Sequence, residues 1–254
     1  MADTTRYLTP TLGVDFVGNV AFGQAVNETG TLETLKLDVY LPGADPAPLR
    51  PAILWFHGGG FTFGNDKRQP YIPMFANAFA ARGYVGIAPD YRVRANPRAD
   101  FAGAARDAVA DARMALEWVR THSADYRIDT SHLALAGGSA GGMTVVSLVH
   151  DTTQPINSKR DGIFALLDMW GTPRAGERVF DRVNPNSPPT LIIHGTADVL
   201  VPYQNSVAFV EELTQAGVAH QLLTLADAPH TPLLHFDLIV ETMAEFLHHH
   251  LNER

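Results

Sequence analysis

The sequence predicts an α/β protein with a doubly wound, mostly parallel eight-stranded sheet, helices on both faces and no large lid domain. Short apolar runs alternate with longer segments of helical periodicity, as expected of strands joined by helical crossovers. The first run, residues 34–41, alternates as a strand does, and the later ones are continuously apolar, which is typical of strands buried on both faces. The chain has 254 residues and no internal repeat, so it can bury one large core. We therefore expect a single domain over residues 1–254.

Seven apolar runs carry the predicted sheet, and the segment before them is expected to add antiparallel strands or to lie across it. The predicted strands cover residues 34–41, 51–57, 84–91, 132–137, 163–170, 190–195 and 220–225. The clearest helix pattern repeats its apolar residues every three or four positions, and glycines mark the ends of two others. The predicted helices cover residues 71–82, 101–121, 143–150, 203–216 and 233–251.

Composition and charge exclude several classes of function. The formal net charge of −8 opposes binding to nucleic acid or to an anionic membrane. The chain has no cysteine, which excludes disulfides, thiolate metal sites and a cysteine nucleophile, and we predict no metal and no cofactor. Neither a signal-peptide core nor a membrane-spanning apolar run is found. We expect a cytoplasmic monomer or homodimer, although a signal peptide already removed would leave the same sequence.

One serine lies in a glycine-rich stretch between two apolar runs. Residues 137–141 read Gly-Gly-Ser-Ala-Gly, which fits G-x-S-x-G around Ser139 with a predicted strand before it and a predicted helix after it. That context is the one a nucleophile elbow requires. A flexible Gly/Ser linker is the alternative, but linkers are not bounded by two buried elements. Ser139 is therefore the predicted nucleophile.

A second glycine cluster, His57-Gly58-Gly59-Gly60-Phe61, directly follows a predicted strand. Acyl transfer develops a negative oxygen that needs preorganised N–H donors, and glycines let backbone amides approach it closely. The alternative is a phosphate-binding loop. It is disfavoured because neither G-K-[ST] nor G-x-G-x-x-G with a later acid is present. His57 itself is expected to be a buried residue that holds the loop.

Two further loops supply a candidate acid and a candidate base. Asp198 follows a predicted strand and is favoured over Asp168, which lies inside its apolar run. A carboxylate in that position orients a histidine and stabilises its imidazolium. His230 follows the last predicted strand and is favoured as the base over His235, which is one turn into the next helix. Other histidines are set aside because one begins a strand and three form a polar C-terminal tract, namely His220, His248, His249 and His250.

The order Ser139, Asp198, His230 with an upstream HGGG loop resembles the α/β-hydrolase superfamily, and within it the HGGG-type carboxylesterases. The likeness extends from about Leu35 to the C-terminus. It is nearest to hormone-sensitive-lipase-like esterases and to small bacterial feruloyl and acetyl-xylan esterase-like proteins. This resemblance implies that the oxyanion is bound by the N–H groups of Gly59, Gly60 and Ala140. The segment Pro-Asp-Tyr-Arg at residues 89–92 matches a further, structural motif of the branch.

The chain also departs from the hormone-sensitive-lipase-like pattern. Gly138 stands where such enzymes usually carry an acid, the sequence after residues 89–92 differs, and the N-terminal segment is shorter than their helical cap. These departures favour the smaller, uncapped branch. The segment from Gly171 to Pro189, where a lid would be inserted, is short and has no amphipathic helix pattern.

The predicted function is that of a serine carboxylesterase acting on short-chain or other small carboxylic esters, so that the expected partner is a small-molecule ester. An open site is expected, walled by Phe61, Phe63 and Trp170, each of which is equally compatible with an ordinary core position. Alternatives on the same scaffold are an amidase or peptidase, a non-catalytic ligand-binding relative, and an enzyme with hydroxynitrile-lyase activity.

Overall fold

A computed structural model describes residues 6–151, 153–154, 156–173 and 183–252. Eight strands form one sheet in the order β1-β2-β4-β3-β5-β6-β7-β8. Strand β2 runs antiparallel to β1 and β4, and the remaining neighbours are parallel. The strands are β1 Gly13–Val26, β2 Leu32–Gly43, β3 Arg50–Phe56, β4 Val85–Pro89, β5 Ile128–Gly138, β6 Ile163–Met169, β7 Thr190–Gly195 and β8 His220–Leu225. The fold class predicted from the sequence is confirmed.

The apolar runs form central strands because both faces of the sheet are covered. Every residue of β3 is buried, and successive side chains enter different cores, with Leu54 and Phe56 in one and Ile53 and Trp55 in the other. This alternation follows from the two-residue period of a strand. Strand β8 lies at the end of the sheet and is only partly buried.

Seven α-helices are found in the described part of the chain, on both faces of the sheet. They are α1 Tyr71–Ala80, α2 Phe101–Thr121, α3 Ser123–Tyr126, α4 Ala140–Val149, α5 Ser158–Asp161, α6 Tyr203–Gln215 and α7 Phe236–Asn252, with short 3₁₀ turns at Pro97–Asp100 and Leu233–His235. Helices α1 and α7 contribute to one core, and α2, α4 and α6 contribute to the other.

Helix boundaries follow local chemistry. Helix α2 begins at Phe101, as predicted, because the Asp100 carboxylate accepts a hydrogen bond from the Gly103 N–H at 2.9 Å and so caps the first turn. Helix α1 ends at Ala80, two residues before the predicted end, and the chain turns at Gly83 with φ of 105°. The predicted last helix is divided into the 3₁₀ turn at Leu233–His235 and α7.

The region of the predicted missing lid, Gly171 to Pro189, falls partly outside the described residues. Among the residues that are described, no helix is both long and apolar enough to cross a bilayer. The parallel strands β5 and β7 end at the same edge of the sheet, next to Ser139 and Asp198. The loop that carries His230 follows β8 at that edge. Ligands of open α/β sheets bind at such an edge.

Candidate active site

Ser139 lies in a strained turn between β5 and α4. Its backbone has φ of 55° and ψ of −121°, a region that side chains other than glycine rarely adopt. The turn is held because the Ser139 N–H donates to the Met169 carbonyl at 2.9 Å and the Met143 N–H donates to the Ser139 carbonyl at 3.0 Å. The side chain is thereby presented at the edge of the sheet, as in a nucleophile elbow.

The glycines two residues before and after Ser139 are required by the close approach of strand and helix. A Cβ atom on Gly137 would lie 2.2 Å from the Gly141 carbonyl oxygen. A Cβ on Gly141 would lie 2.1 Å from the carbonyl oxygen of Phe56, in the neighbouring strand. Backbone atoms cannot rotate away as a side chain can, so neither position accepts even alanine without a shift of the elbow.

We expect Gly141→Ala to destabilise the protein by about 2–4 kcal/mol, because the added methyl group meets strand backbone in a packed core. The free energy of unfolding in urea measures the loss. Gly13→Ala is the matched control, since a Cβ at Gly13 meets nothing within 4 Å. Equal stability of the two variants would contradict the steric explanation.

The structure brings Ser139, His230 and Asp198 together. His230 Nε2 lies 2.9 Å from Ser139 Oγ, and His230 Nδ1 lies 2.7 Å from Asp198 Oδ2. A carboxylate can only accept, so Nδ1 carries the hydrogen and Nε2 is left to accept the hydrogen of the serine hydroxyl. The rival acid, Asp168, bonds Thr172 instead. The rival base His235 lies in the 3₁₀ turn after His230, and His220 begins β8 at the opposite edge.

Asp198 is anchored by four N–H groups. Its Oδ1 accepts from the backbone N–H groups of Leu200 and Val201 at 2.8 and 3.0 Å, and its Oδ2 contacts the imidazoles of His230 and His194. Burial opposes ionisation of this carboxyl, but the hydrogen bonds from His230 and the two backbone groups outweigh burial and lower its pKa. Asp198 is therefore a carboxylate at neutral pH.

The HGGG loop lies against the elbow. A Cβ on Gly58 would be 3.0 Å from the Cβ of Ser139. Gly59 and Gly60 adopt φ of 95° and 60°, which directs the loop around the serine. Ala140 opens helix α4, and N–H groups in the first turn of a helix have no partner within it. The three predicted oxyanion donors thus belong to two segments that meet beside Ser139.

Side chains that the motifs did not reveal hold this loop. Gln69 accepts from the Gly58 N–H at 2.9 Å and donates to Asn65 at 2.8 Å, and Asn65 donates to the Thr62 carbonyl at 3.0 Å. An Asn and a Gln shortly after the glycines are the only sequence signal of this arrangement, since both side chains can donate and accept at once.

His57 is completely buried, and its role in the structure is to hold the loop. Its ring stacks on that of Tyr91 with centroids 4.1 Å apart, and the Tyr91 hydroxyl donates to the His57 carbonyl at 2.6 Å. Burial lowers the pKa of His57 to about 4, so the imidazole is neutral. Tyr91 belongs to the Pro-Asp-Tyr-Arg motif at residues 89–92. Arg92 of this motif forms a bidentate ion pair with Asp111 of α2, with N···O distances of 2.7 and 2.9 Å.

Of the three aromatic residues predicted to wall the site, only Phe63 exposes its ring to solvent. Phe61 has no exposed surface and packs edge-on against Tyr91, and Trp170 is equally buried and packs edge-on against Tyr71. A completely buried ring offers a substrate no surface, so these two residues take the core position that the sequence also allowed. Phe63 is 53% exposed and stays a candidate for the wall.

Two family models match successive parts of the chain. The model described as BD-FAE matches residues 37–161, and the model of the prolyl oligopeptidase family matches residues 170–254. The first match includes the HGGG loop and Ser139, and the second includes Asp198 and His230. Each family model therefore covers a different part of the candidate site.

Two proteins similar in sequence are described as a carboxylic ester hydrolase and an esterase. A probable carboxylic ester hydrolase, LipM, of Mycobacterium tuberculosis is 27% identical over 80% of this chain and 53% of its own length. Esterase LipC of the same organism is 27% identical over 70% of this chain and 51% of its own length. The chain thus spans about half the length of these curated relatives.

Solved structures match over nearly the whole chain. Esterase 2 of Thermogutta terrifontis, phosphonylated by cyclosarin, is 28% identical over 94% of both chains with a TM-score of 0.72. A truncated carbohydrate esterase from gut microbiota has a TM-score of 0.74 over 95% of this chain and 97% of its own, at 19% identity, which shows the fold alone. Together with the sheet order and the serine elbow, these matches identify the chain as a member of the α/β-hydrolase superfamily, in its carboxylesterase group.

Proposed function

We propose that this protein hydrolyses carboxylic esters through a covalent acyl-serine intermediate. Ser139 is the nucleophile, His230 the general base and acid, and Asp198 the residue that orients His230. The observation that carries the proposal is the pair of hydrogen bonds made by His230, 2.9 Å to Ser139 Oγ and 2.7 Å to Asp198 Oδ2. These distances are the hydrogen-bond reach that an activated nucleophile requires.

Each group has a defined part in the reaction. His230 Nε2 takes the hydroxyl proton as Ser139 Oγ attacks the ester carbonyl carbon. The negative charge that forms on the carbonyl oxygen is stabilised by the N–H groups of Gly59, Gly60 and Ala140. His230 then gives the proton to the leaving alcohol. Water attacks the acyl-serine by the same route in reverse and releases the acid.

Active-site labelling tests the nucleophile. A fluorophosphonate probe should label one site, and mass spectrometry should map the label to the peptide that contains Ser139. The Thermogutta terrifontis esterase is described as phosphonylated by cyclosarin and phosphorylated by paraoxon, which supports the choice of probe. Label on another peptide would contradict the assignment.

We further propose that the preferred acyl group is short. The Thermogutta terrifontis esterase has solved structures with propionate and with butyrate bound, and it aligns with most of this chain. On p-nitrophenyl esters from acetate to palmitate, we expect kcat/KM to peak between two and four carbons. A peak at palmitate would contradict the prediction.

A peptidase is the second candidate, because the prolyl oligopeptidase family model matches residues 170–254. The catalytic groups would be the same, but the leaving group would be an amine. A matched pair of substrates decides between the two, p-nitrophenyl acetate and the corresponding p-nitroanilide. Ester turnover without measurable anilide turnover supports the esterase, and the reverse supports the peptidase.

A further inference from the structure

Asp198 also ends a second line of hydrogen bonds, which we call the buried chain: His194, Ser206, Thr172 and Asp168. His194 Nε2 lies 3.1 Å from Asp198 Oδ2, and His194 Nδ1 lies 2.6 Å from Ser206 Oγ. Ser206 Oγ lies 2.7 Å from Thr172 Oγ1, which lies 2.5 Å from Asp168 Oδ2. All four side chains are completely buried. The serine mechanism uses none of them.

The buried chain is assembled by tertiary structure. Asp168 lies in β6, His194 in β7 and Ser206 in α6. Thr172 follows β6, and its carbonyl accepts a hydrogen bond from the side chain of Asn205 in α6 at 3.1 Å. Three packed elements therefore hold the buried chain in place.

Counting hydrogens shows that the buried chain contains one titratable proton. Its four contacts need one hydrogen each. Thr172, Ser206 and a neutral His194 supply three. The fourth hydrogen must lie at one end of the buried chain, either on the carboxyl group of Asp168 or on His194 as an imidazolium. Moving it between these ends reverses the direction of both hydroxyl groups.

Geometry favours the carboxyl end. Asp168 Oδ1 is buried without a hydrogen-bond partner among the described residues and faces Gly142 of α4. A buried carboxylate with an unpaired oxygen is costly, whereas a neutral acid is less so. Burial raises the pKa of Asp168 to about 7 and outweighs the hydrogen bonds from Thr172 and the Gly171 backbone, which act in the opposite direction; this pKa agrees with a neutral acid.

The groups around His194 also favour a neutral imidazole. His194 Nε2 contacts two acceptors, Asp198 Oδ2 and the Val201 carbonyl oxygen at 3.0 Å, so Nε2 carries the hydrogen. Burial lowers the pKa of His194 against the opposing effect of Asp198, and His230 acts in the same direction as burial. The ring of Tyr203 also packs edge-on against His194, with ring centroids 5.8 Å apart.

We propose that the buried chain keeps its titratable proton on Asp168, so that His194 is a neutral Nε2–H donor that positions Asp198. The proposal rests on the proposed function in one respect, namely that Asp198 serves His230. During acyl transfer His230 becomes a cation stabilised by Asp198. A cationic His194 on the same carboxylate oxygen would compete with His230 for the negative charge of Asp198. Holding the proton on Asp168, at the other end of the buried chain, avoids this competition. Asp168 and His194 are thus positioning residues.

The location of the proton is tested without substrate. If Asp168 is protonated in the folded protein, unfolding releases that proton at any pH above the ordinary carboxyl pKa, near 4. The stability contribution is then full below that pH and is lost as pH rises toward 7. Between pH 4.5 and 6.5, we expect the unfolding constant of the wild type, divided by that of Asp168→Asn, to rise about tenfold per pH unit. A flat ratio would show an ionised Asp168 and overturn the proposal.

The tautomer of His194 is tested by ¹⁵N NMR of histidine-labelled protein, with His194→Asn used to assign the signals. We expect a neutral ring at pH 6, with hydrogen on Nε2 and a hydrogen-bonded acceptor at Nδ1. An imidazolium at that pH would overturn the proposal. Because the unfolding and NMR measurements need no turnover, they decide it even if no ester is hydrolysed, and if they fail while esters are hydrolysed, only the buried chain is refuted.

The positioning role is tested by pairs of variants. Thr172→Val interrupts the buried chain and should lower kcat for p-nitrophenyl acetate about tenfold, with KM within about twofold, since the two hydrogen bonds of its hydroxyl, to Ser206 and to Asp168, are lost. Thr172→Ser keeps the hydroxyl and should restore kcat. Asp168→Asn keeps a donor toward Thr172 and should stay within about twofold of the wild type, whereas Asp168→Leu should resemble Thr172→Val. A Thr172→Val protein that is less stable but has unchanged kcat per folded molecule would overturn the role.

Discussion

Replacing Ser139 with alanine should lower kcat for p-nitrophenyl acetate by about a million-fold while the protein stays folded. The hydroxyl is the atom that forms the acyl bond, and no neighbouring group takes its place in the hydrogen bond to His230 at 2.9 Å. The oxyanion donors would remain, so a residual rate above that of water is expected. Initial rates at saturating ester and the far-UV circular dichroism spectrum measure the two quantities.

The control is Ser131→Ala. Ser131 lies on the same strand, β5, near its other end, and bonds Asp129 at 2.6 Å. Its loss should leave turnover and fluorophosphonate labelling unchanged. If Ser139→Ala retained the label, the assignment of the nucleophile would be refuted.

Replacing Asp198 with asparagine should have the second largest effect, a fall in kcat of about ten-thousand-fold. All four contacts of this carboxylate come from N–H groups, two from imidazoles and two from the backbone of Leu200 and Val201. Asparagine places an NH₂ group, which cannot accept, at one of the two oxygen positions. Either the two imidazoles or the two backbone N–H groups would then face a donor instead of an acceptor. Either His230 loses its orientation and correct tautomer or the loop after β7 is displaced.

Asp168→Asn is the matched control for Asp198→Asn, because both residues are buried acids on neighbouring segments. Asp168 lies near the end of β6, and Asp198 follows β7. Only the Asp198 variant should lose kcat. Rates of both variants measured at the same pH give the difference. A reversed result would make Asp168 the acid of the site.

The pKa directions agree with this contrast. The pKa of Asp198 is lowered although burial opposes it, because N–H donors surround it. The pKa of Asp168 is raised by burial. The pKa values of the two carboxyl groups, one in β6 and one in the loop after β7, are thus shifted in opposite directions, because hydrogen-bond donors outweigh burial at Asp198 and burial outweighs them at Asp168.

The sheet and most helices could be predicted because their determinants are local. The alternating segment 34–41 corresponds to β2, the apolar runs correspond to β3 to β8, and α2 has the predicted bounds, Phe101–Thr121. The antiparallel start of the sheet, β1 Gly13–Val26, was one of two readings of that segment. The last helix was predicted to begin at Leu233, whereas a 3₁₀ turn after Pro232 occupies Leu233–His235 and α7 begins at Phe236.

Much of the candidate site could be read in the same way. The glycines around Ser139 reveal a close contact of strand and helix, and the order of serine, acid and histidine follows the order of the strand-end loops. The participation of Gln69, Tyr91 and His194 could not be predicted, because their contacts with Gly58, His57 and Ser206 join residues 11, 34 and 12 positions apart. Asn65 bonds Thr62, only three positions away, but no motif marks it. The wall residues Phe61 and Trp170 were ambiguous for the same reason.

By itself, the sequence determined the fold class, the elbow at Ser139 and the loops from which the acid and the base come, because strand periodicity and the need for glycine are properties of short segments. Only the tertiary structure decided which acid reaches His230 and which is left neutral. Asp168 and Asp198 are both aspartates near the ends of adjacent parallel strands. Asp198, which accepts from four N–H groups, is a carboxylate beside His230. Asp168, whose Oδ2 bonds the Thr172 hydroxyl, lies at the far end of the buried chain from His194. The hydrogen bond between His230 and Asp198 joins residues 32 positions apart, so it exists only once the sheet has brought their loops together.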